Sequence, residues 1–285
     1  MERMEKIQMR VDLQYQAVLR RILERGESYI GYFTEREKKL SEIFSALSRE
    51  GVFGDPSFRA VVGFDEEGRA KYWDLTEGNL LLCGDVVGNL VSQGSQLALL
   101  SLFRFSEKEL ICFSACREER RSGFLTEDGR CRSSASSFGK GNCADMFEAL
   151  RAETEKRLGM SESERQSQPY VLAIFAGIDM AIRHYWREYR DMFSAAFTRG
   201  KELKTACVLA AESPMENPCF YWFKDFFPVY LLGRERDLFG YVLSEKGRAF
   251  LEENARDSVR SERALYCRGG EETVVETWQN VLAYL

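Results

Sequence analysis

The sequence predicts an α/β fold with a mostly parallel central sheet, preceded by N-terminal helices. Continuous apolar runs of strand length recur along the chain, at 79–83, 109–115, 170–176, 205–211 and 228–233. Stretches with the apolar spacing of a helix lie between them, at 89–103, 142–158 and 179–198. Continuous apolar strands are typical of a sheet covered on both faces, and their alternation with helices favours parallel connections.

The N-terminal part has a different pattern. Apolar residues recur every three or four positions within 11–23 and 34–49, which predicts two helices; Gly26 or Gly31 interrupts the first, and Gly51, Gly54 and Pro56 end the second. We therefore expect a helical lead-in over 1–55 and an α/β domain over 56–285. The lead-in either packs on the domain or is a linker helix from a larger assembly.

Turn residues and local periodicity predict the remaining elements. The polar segment 117–141 is expected to be a long loop, because it is rich in Arg, Ser and Gly. The other expected elements are a hairpin at 58–75, helices at 235–243 and 246–254, and short strands at 263–269 and 272–278.

Composition excludes several kinds of chemistry. The chain has 285 residues, a net charge of −5 and one histidine, His184, which excludes multi-histidine metal sites. The mild acidity disfavours a large basic face for nucleic acid. None of the eight cysteines forms a CxxC pair, so we interpret them as buried thiols in a reducing cytosol. We expect no signal peptide, and no membrane span, which would need about 18 successive apolar residues.

A glycine-containing loop follows the first predicted strand of the parallel sheet, where such sheets bind ligands. A working phosphate loop has the form G-x-x-x-x-G-K-[ST], in which the lysine reaches phosphate and the hydroxyl holds magnesium. Here asparagine, leucine and valine replace the second glycine, the lysine and the hydroxyl. The loop residues in question are Gly84, Gly88, Asn89, Leu90, Val91 and Ser92.

Several motifs in this region resemble those of the FtsK/SpoIIIE family of motor domains, which includes the type VII secretion ATPases EssC and EccC. The family has a G-x-D-x-x-G hairpin and an Asp-Leu pair before its phosphate loop, and this chain has Gly63–Gly68 and Asp74-Leu75. The family's Walker B strand begins with Pro-Tyr, as Pro169-Tyr170 does here. The resemblance covers roughly residues 58–270 and implies a RecA-like P-loop fold.

The departures from the family pattern indicate a loss of catalysis. Ala176 and Gly177 take the places of the two Walker B acids, although Asp179 is near. Glu212 and Lys201 take the places of the sensor and arginine residues. Because phosphoryl transfer depends on positioned charge, the resemblance implies a pseudo-ATPase with no catalytic residues and no expected cofactor. It would act as an interaction or regulatory module in type VII secretion or a related translocation system.

The same resemblance implies that the chain is cytoplasmic and binds other proteins. Any association with a membrane would be through those partners. The partners would be neighbouring motor domains or substrate export signals, and nucleic acid is not favoured. The aromatic residues Phe220, Tyr221, Trp222 and Phe223 are the candidate partner-binding segment; the alternative is that they pack in the core and between subdomains.

Two other functions stay open at this point. One is an active ATP-driven translocase of DNA or protein that uses ATP and magnesium with Ser92, Asp179 and Lys201. The other is an unrelated α/β partner-binding protein. Topology separates the last from the first two, because the resemblance requires the strand ending at Cys83 to be central in the sheet.

Overall fold

The structure of the chain is a computed structural model. It describes residues 45–83, 101–102, 104–116, 131–136, 143–211, 217–233, 243–256 and 263–277. The predicted helices before residue 45, most of 89–103 and nearly all of 235–243 lie outside the described residues. The boundary between 1–55 and 56–285 stays a prediction.

Ten strands form one sheet in the described residues. They are β1 (Arg59–Phe64), β2 (Ala70–Asp74), β3 (Leu80–Cys83), β4 (Leu110–Cys116), β5 (Cys131–Ser136), β6 (Tyr170–Ala176), β7 (Thr205–Ala211), β8 (Val229–Leu232), β9 (Arg263–Arg268) and β10 (Glu271–Glu276). The helices are α1 (Cys143–Leu158), α2 (Glu162–Ser167), α3 (Asp179–Thr198), α4 (Gly200–Leu203), α5 (Pro218–Phe223) and α6 (Glu245–Arg256), with 3-10 turns at Val52–Gly54 and Lys224–Phe226.

The sheet combines a parallel part with an antiparallel extension. Its strand order is β2-β1-β10-β9-β8-β3-β7-β6-β4-β5. The strands from β8 to β5 are all parallel, whereas β9, β10, β1 and β2 continue the sheet in antiparallel pairs. β3 pairs with β7 on one side and β8 on the other. The strand ending at Cys83 is therefore central, as the resemblance predicted.

One predicted loop contains a strand. The prediction of a loop over 117–141 is wrong for Cys131–Ser136, which forms β5 at the edge of the sheet, parallel to β4. Edge strands have one side open and tolerate polar residues that a central strand would bury. The Ser-rich composition therefore concealed a strand that pairs on one side.

Alternating residues of the strands supply two apolar layers. Leu81 and Cys83 of β3 face the layer covered by α1 and α3, whereas Leu80 and Leu82 face the other. Aromatic rings fill the first layer, where Phe175 lies 5.6 Å from Phe193 between ring centroids. The hairpin β1–β2 helps to cover the second layer and buries Trp73 completely.

Buried polar side chains join the amino ends of the parallel strands. Asn79, just before β3, bonds to the main chain near the ends of α3 and the 3-10 turn and to β7. Arg157 of α1 donates to the carbonyls of Pro169 and Leu203, which precede β6 and β7. These contacts hold the amino edge of the sheet and leave the carboxyl edge for a ligand site.

Arg104 joins the segment that enters β1 to the segment that leads into β4. Its guanidinium donates to the carbonyls of Asp55 at 2.9 Å and Ser57 at 2.6 Å, and also to that of Arg59. Burial lowers the pKa of Arg104 to about 10, so it stays charged at neutral pH. The segment entering β1 is thereby tied to the chain that leads into β4.

None of the described helices has the length and apolar character needed to cross a membrane.

Candidate functional site

The carboxyl ends of the parallel strands form the edge at which this type of sheet binds ligands. β3 ends there at Cys83, which is paired with Ala211 of β7 and Leu232 of β8. The Cys83 carbonyl accepts a 2.7 Å hydrogen bond from the N–H of Gly233. The predicted loop residues that follow Cys83 lie outside the described residues; they are Gly84, Gly88, Asn89, Leu90, Val91 and Ser92.

Beside β7 on the same edge, β6 ends in two residues without functional side chains. Ala176 pairs with Ala210 of β7 and Cys116 of β4 and is buried. Gly177 has a φ of 63°, and its N–H donates to the Ala210 carbonyl at 2.9 Å. That left-handed conformation favours glycine and turns the chain from the strand toward α3. A methyl group and a hydrogen atom can neither ligate magnesium nor polarise water.

Asp179, the nearby acid, begins α3. Its carboxylate accepts a 2.5 Å hydrogen bond from Nδ2 of the buried Asn217. Asn217 caps α5, because its Oδ1 accepts a 2.9 Å bond from the N–H of Cys219. An acid is also favourable in the first turn of a helix, where the backbone dipole is positive. Asp179 thus holds the start of α5 against the start of α3.

We expect Asp179→Ala to lower the free energy of unfolding by about 1–3 kcal/mol, because it leaves the buried Asn217 amide without this acceptor. Asp191→Ala, at an exposed position of the same helix, is the control and should change little. Chemical denaturation of both variants measures the difference. Equal stability of the two variants would contradict the structural role.

Of the two remaining predicted nucleotide-site residues, the structure describes Lys201 and places it away from this edge. Lys201 is exposed on α4, before the amino end of β7, and so lies a strand length of about 20 Å from the carboxyl edge. Within one chain it does not share a site with Ala176. Glu212, directly after β7, lies outside the described residues.

The predicted partner-binding segment divides into two faces. Phe220 and Phe223 are buried, and the Phe223 ring stacks on Phe197 with 5.2 Å between centroids. Tyr221 and Trp222 are 54% and 59% exposed, and the centroids of their rings lie 5.5 Å apart. Pro218 at the first turn and the Asn217 cap favour a helix here. The rotation of successive residues about the helix axis then places Phe220 and Phe223 on the core side and Tyr221 and Trp222 on the solvent side.

Residues of α3 that the sequence analysis did not select lie next to this exposed pair. The Arg190 guanidinium is 5.9 Å from the centroid of the Trp222 ring. The ring of Trp186, which is half-buried, lies 6.1 Å from that of Phe223. Their spacing along a predicted helix was visible in the sequence, but the position of α5 beside α3 was not.

The cysteines with described side chains are buried, as predicted. Burial raises the pKa of the Cys219 thiol well above its usual value, and Cys207 and Asp179 act in the same direction. A neutral, buried thiol is a poor nucleophile. His184 is exposed and packs edge-on against Tyr185. Neither residue type indicates catalysis in the described part of the chain.

A cleft lies between α1 and β4, near the amino edge of the sheet. This cleft has a volume of about 700 Å³, in the range of small-molecule pockets, and Ile111 and Phe113 are among the apolar residues that line it. Of the two acids that line it, Glu107 and Glu153, the second already pairs with Arg157 and Lys156. None of the predicted site residues lines this cleft.

Comparisons with solved structures identify the fold. The cytoplasmic domain of the type VII secretion ATPase EccC from Thermomonospora curvata superposes with a TM-score of 0.58 at 12% identity, over 80% of this chain and 27% of that one. EccC ATPases 2 and 3 from the same organism, in complex with a signal sequence peptide, superpose with a TM-score of 0.59 at 13% identity. The match covers 80% of this chain and 41% of that one. The pCW3 conjugation coupling protein TcpA, with ATPγS, superposes with a TM-score of 0.53 at 14% identity, over 80% of this chain and 67% of that one.

These structures confirm the predicted α/β, RecA-like fold. At these identities the likeness is one of fold. The chain spans less than half the length of the two EccC structures. No protein-family model and no curated protein matches the sequence.

Proposed function

We propose that this chain is a motor-type domain that has lost ATP hydrolysis and acts as an interaction or regulatory module in type VII secretion or a related translocation system. The main support is the end of β6, where Ala176 is the last residue of the strand and Gly177 follows it, at the places of the two Walker B acids in the resembling family. Without a carboxylate at that position, no side chain there can hold magnesium or polarise the attacking water.

The residues available do not fit bound magnesium and ATP. In the sequence, Leu90 cannot make the charge-assisted phosphate contact of the loop lysine, and Val91 offers no hydroxyl to the metal. In the sequence, Asp179 is the acid nearest to the end of β6, and its carboxylate accepts a hydrogen bond from Asn217. We therefore propose that neither nucleotide nor metal is a cofactor.

The proposed partners are proteins. A structure with this fold, EccC ATPases 2 and 3, was determined with a signal sequence peptide. In this chain the exposed Tyr221 and Trp222 offer apolar area to such a partner, which would be an export signal or a neighbouring motor domain. Nucleic acid is not favoured, because the net charge is −5. We propose a cytoplasmic location, with membrane association only through partners.

The second candidate function is an active ATP-driven translocase that uses Ser92, Asp179 and Lys201. Asp179 is the observation in its favour, since it lies three residues after Ala176. The position of Lys201 before the amino end of β7 is against it within one chain. The third interpretation, an unrelated α/β binding protein, is disfavoured because β3 is central and the fold matches motor domains.

Thermal unfolding with ATP or ADP, each with and without magnesium, tests the proposal. A ligand at one hundred times its Kd adds about 2.7 kcal/mol of stability, which corresponds to a rise of about 5–10 °C in Tm for a domain of this size. We expect the Tm to be the same with magnesium–ATP as with magnesium alone. A magnesium-dependent rise of several degrees would contradict the proposed loss of nucleotide binding.

A further inference from the structure

A stripe of arginines runs along α3 beside α5. Arg183, Arg187 and Arg190 are four and three residues apart, so at 100° per residue they fall within about 60° around the helix. Arg183, Arg187 and Arg190 are all exposed. By the same rule, Asp191 falls about 40° and Glu188 about 100° from Arg187, on the side farther from Trp186, and Asp179 at the start of the helix falls about 40° from Arg183. One face of α3 is therefore locally basic in a chain of net charge −5.

The basic stripe is continuous with the exposed aromatic pair of α5. Arg190 lies over the Trp222 ring, and Tyr221 lies next to Trp222. We name this the α3–α5 surface and define it by its residues, Arg183, Trp186, Arg187, Arg190, Tyr221 and Trp222. It presents cations and large apolar rings side by side.

Two charges of this surface, those of Arg187 and Arg190, are available to a partner. In the described part of the chain, neither Arg187 nor Arg190 forms an ion pair with a carboxylate, and the nearby contact of Arg190 is the Trp222 ring. Arg and Trp are the residues most enriched in the energetic centres of protein interfaces. A partner with acidic and apolar side chains would satisfy both parts of the surface.

We propose that the α3–α5 surface binds an acidic amphipathic peptide helix, whose carboxylates pair with Arg187 and Arg190 and whose apolar side chains cover Tyr221 and Trp222. The inference rests on the proposed interaction function and names its partner by charge. Helices dock in this way through residues spaced three and four apart. A peptide is favoured over nucleic acid because a long polyanion would extend beyond the basic stripe and be repelled by the negative net charge of the chain.

Two synthetic peptides of one pattern test this proposal on the full chain. One has leucine on one helical face and glutamate on the other, and its counterpart has lysine in place of each glutamate. Fluorescence anisotropy measures binding of each labelled peptide, and of a single-stranded oligonucleotide, at low and high salt. We expect the glutamate peptide to bind, with an affinity that falls as the salt concentration rises, and the lysine peptide and the oligonucleotide not to bind.

Variants connect that binding to the surface. Arg187→Glu/Arg190→Glu and, separately, Trp222→Ala should each weaken binding of the glutamate peptide at least about tenfold. Lys108→Glu/Lys246→Glu, which makes the same charge change at exposed lysines outside the α3–α5 surface, should leave binding within about twofold. Circular dichroism and Tm establish that each variant is folded.

Several results would overturn the acidic-peptide inference: no binding of the glutamate peptide, equal binding of both peptides, preferred binding of the oligonucleotide, or an equal loss in the lysine control. The proposed loss of hydrolysis is tested separately by nucleotide. Peptide binding together with magnesium–ATP turnover would contradict only the proposed function, whereas absence of both would contradict only the acidic-peptide inference.

Discussion

Replacing Asn79 with leucine is expected to lower the free energy of unfolding by about 3–5 kcal/mol, because it leaves several buried main-chain groups without partners. Asn79 Nδ2 donates to the carbonyls of Phe197 at 3.1 Å and Phe226 at 2.9 Å. Its Oδ1 accepts a 2.9 Å bond from the N–H of Cys207. One side chain thus joins β3 to the end of α3, the 3-10 turn and β7. Urea denaturation measures the loss.

Thr76→Val is the matched control, because Thr76 is three residues away and its hydroxyl bonds only locally, to Asp74. We expect it to cost no more than about 1 kcal/mol. Similar losses in Asn79→Leu and Thr76→Val would contradict the role of Asn79 in joining these elements.

A second variant, Asn79→Asp, tests the hydrogen bonds while nearly keeping the shape. One carboxylate oxygen keeps the Cys207 N–H, but the other faces two carbonyls that cannot donate. Protonation supplies the missing donor, so the pKa of this carboxyl should be higher in the folded state than in the unfolded one. Its stabilisation is then present below the unfolded pKa and lost as pH rises through the folded pKa. We expect the variant to lose stability, relative to wild type, between acidic and neutral pH.

Arg157→Met is expected to cost about 3–5 kcal/mol, the range for breaking a buried ion pair by removing one partner. The Arg157 side chain is 1% exposed and pairs with Glu153 at 2.7 Å. It also donates to the carbonyls of Pro169 and Leu203, both at 2.8 Å. These bonds fasten the end of α1 to the segments that enter β6 and β7.

Arg151→Met, on the same helix, separates this effect from the loss of any arginine. Arg151 is 36% exposed and pairs with Glu148 at the surface, where ion pairs contribute little. We expect denaturation curves of Arg151→Met to overlay those of wild type, whereas Arg157→Met shifts strongly to lower denaturant. A shift of equal size in both variants would contradict the role of Arg157.

Much of the parallel sheet could be predicted from the sequence, because its strands are continuous apolar runs. The strands Tyr170–Ala176 and Thr205–Ala211 have the predicted bounds, and α3 spans the predicted 179–198. The edge strand Cys131–Ser136 was missed because it has no apolar periodicity. The short α2 was also missed, although Ser161 and Glu164 form a capping box that can be read from the sequence.

The candidate site was harder to predict, because its key contacts are tertiary. The aromatic segment was found, but which of its rings face solvent depends on the packing of α5 against α3, where Asp179 and Asn217, 38 residues apart, form a hydrogen bond. Arg157 and Glu153 have the spacing of an ordinary surface pair on a helix, and only the packing of α1 shows that Arg157 is buried. The basic stripe of α3 was visible as spacing, but its aromatic neighbour comes from another helix.

Steady-state ATP hydrolysis by the purified chain tests the proposed loss of catalysis most directly. We expect phosphate release with magnesium–ATP to equal that of buffer, because the loop lysine, the magnesium hydroxyl and the Walker B acids are replaced by Leu90, Val91, Ala176 and Gly177. Magnesium-dependent turnover that is abolished by Ser92→Ala in the 84–92 loop would contradict it and establish an active motor.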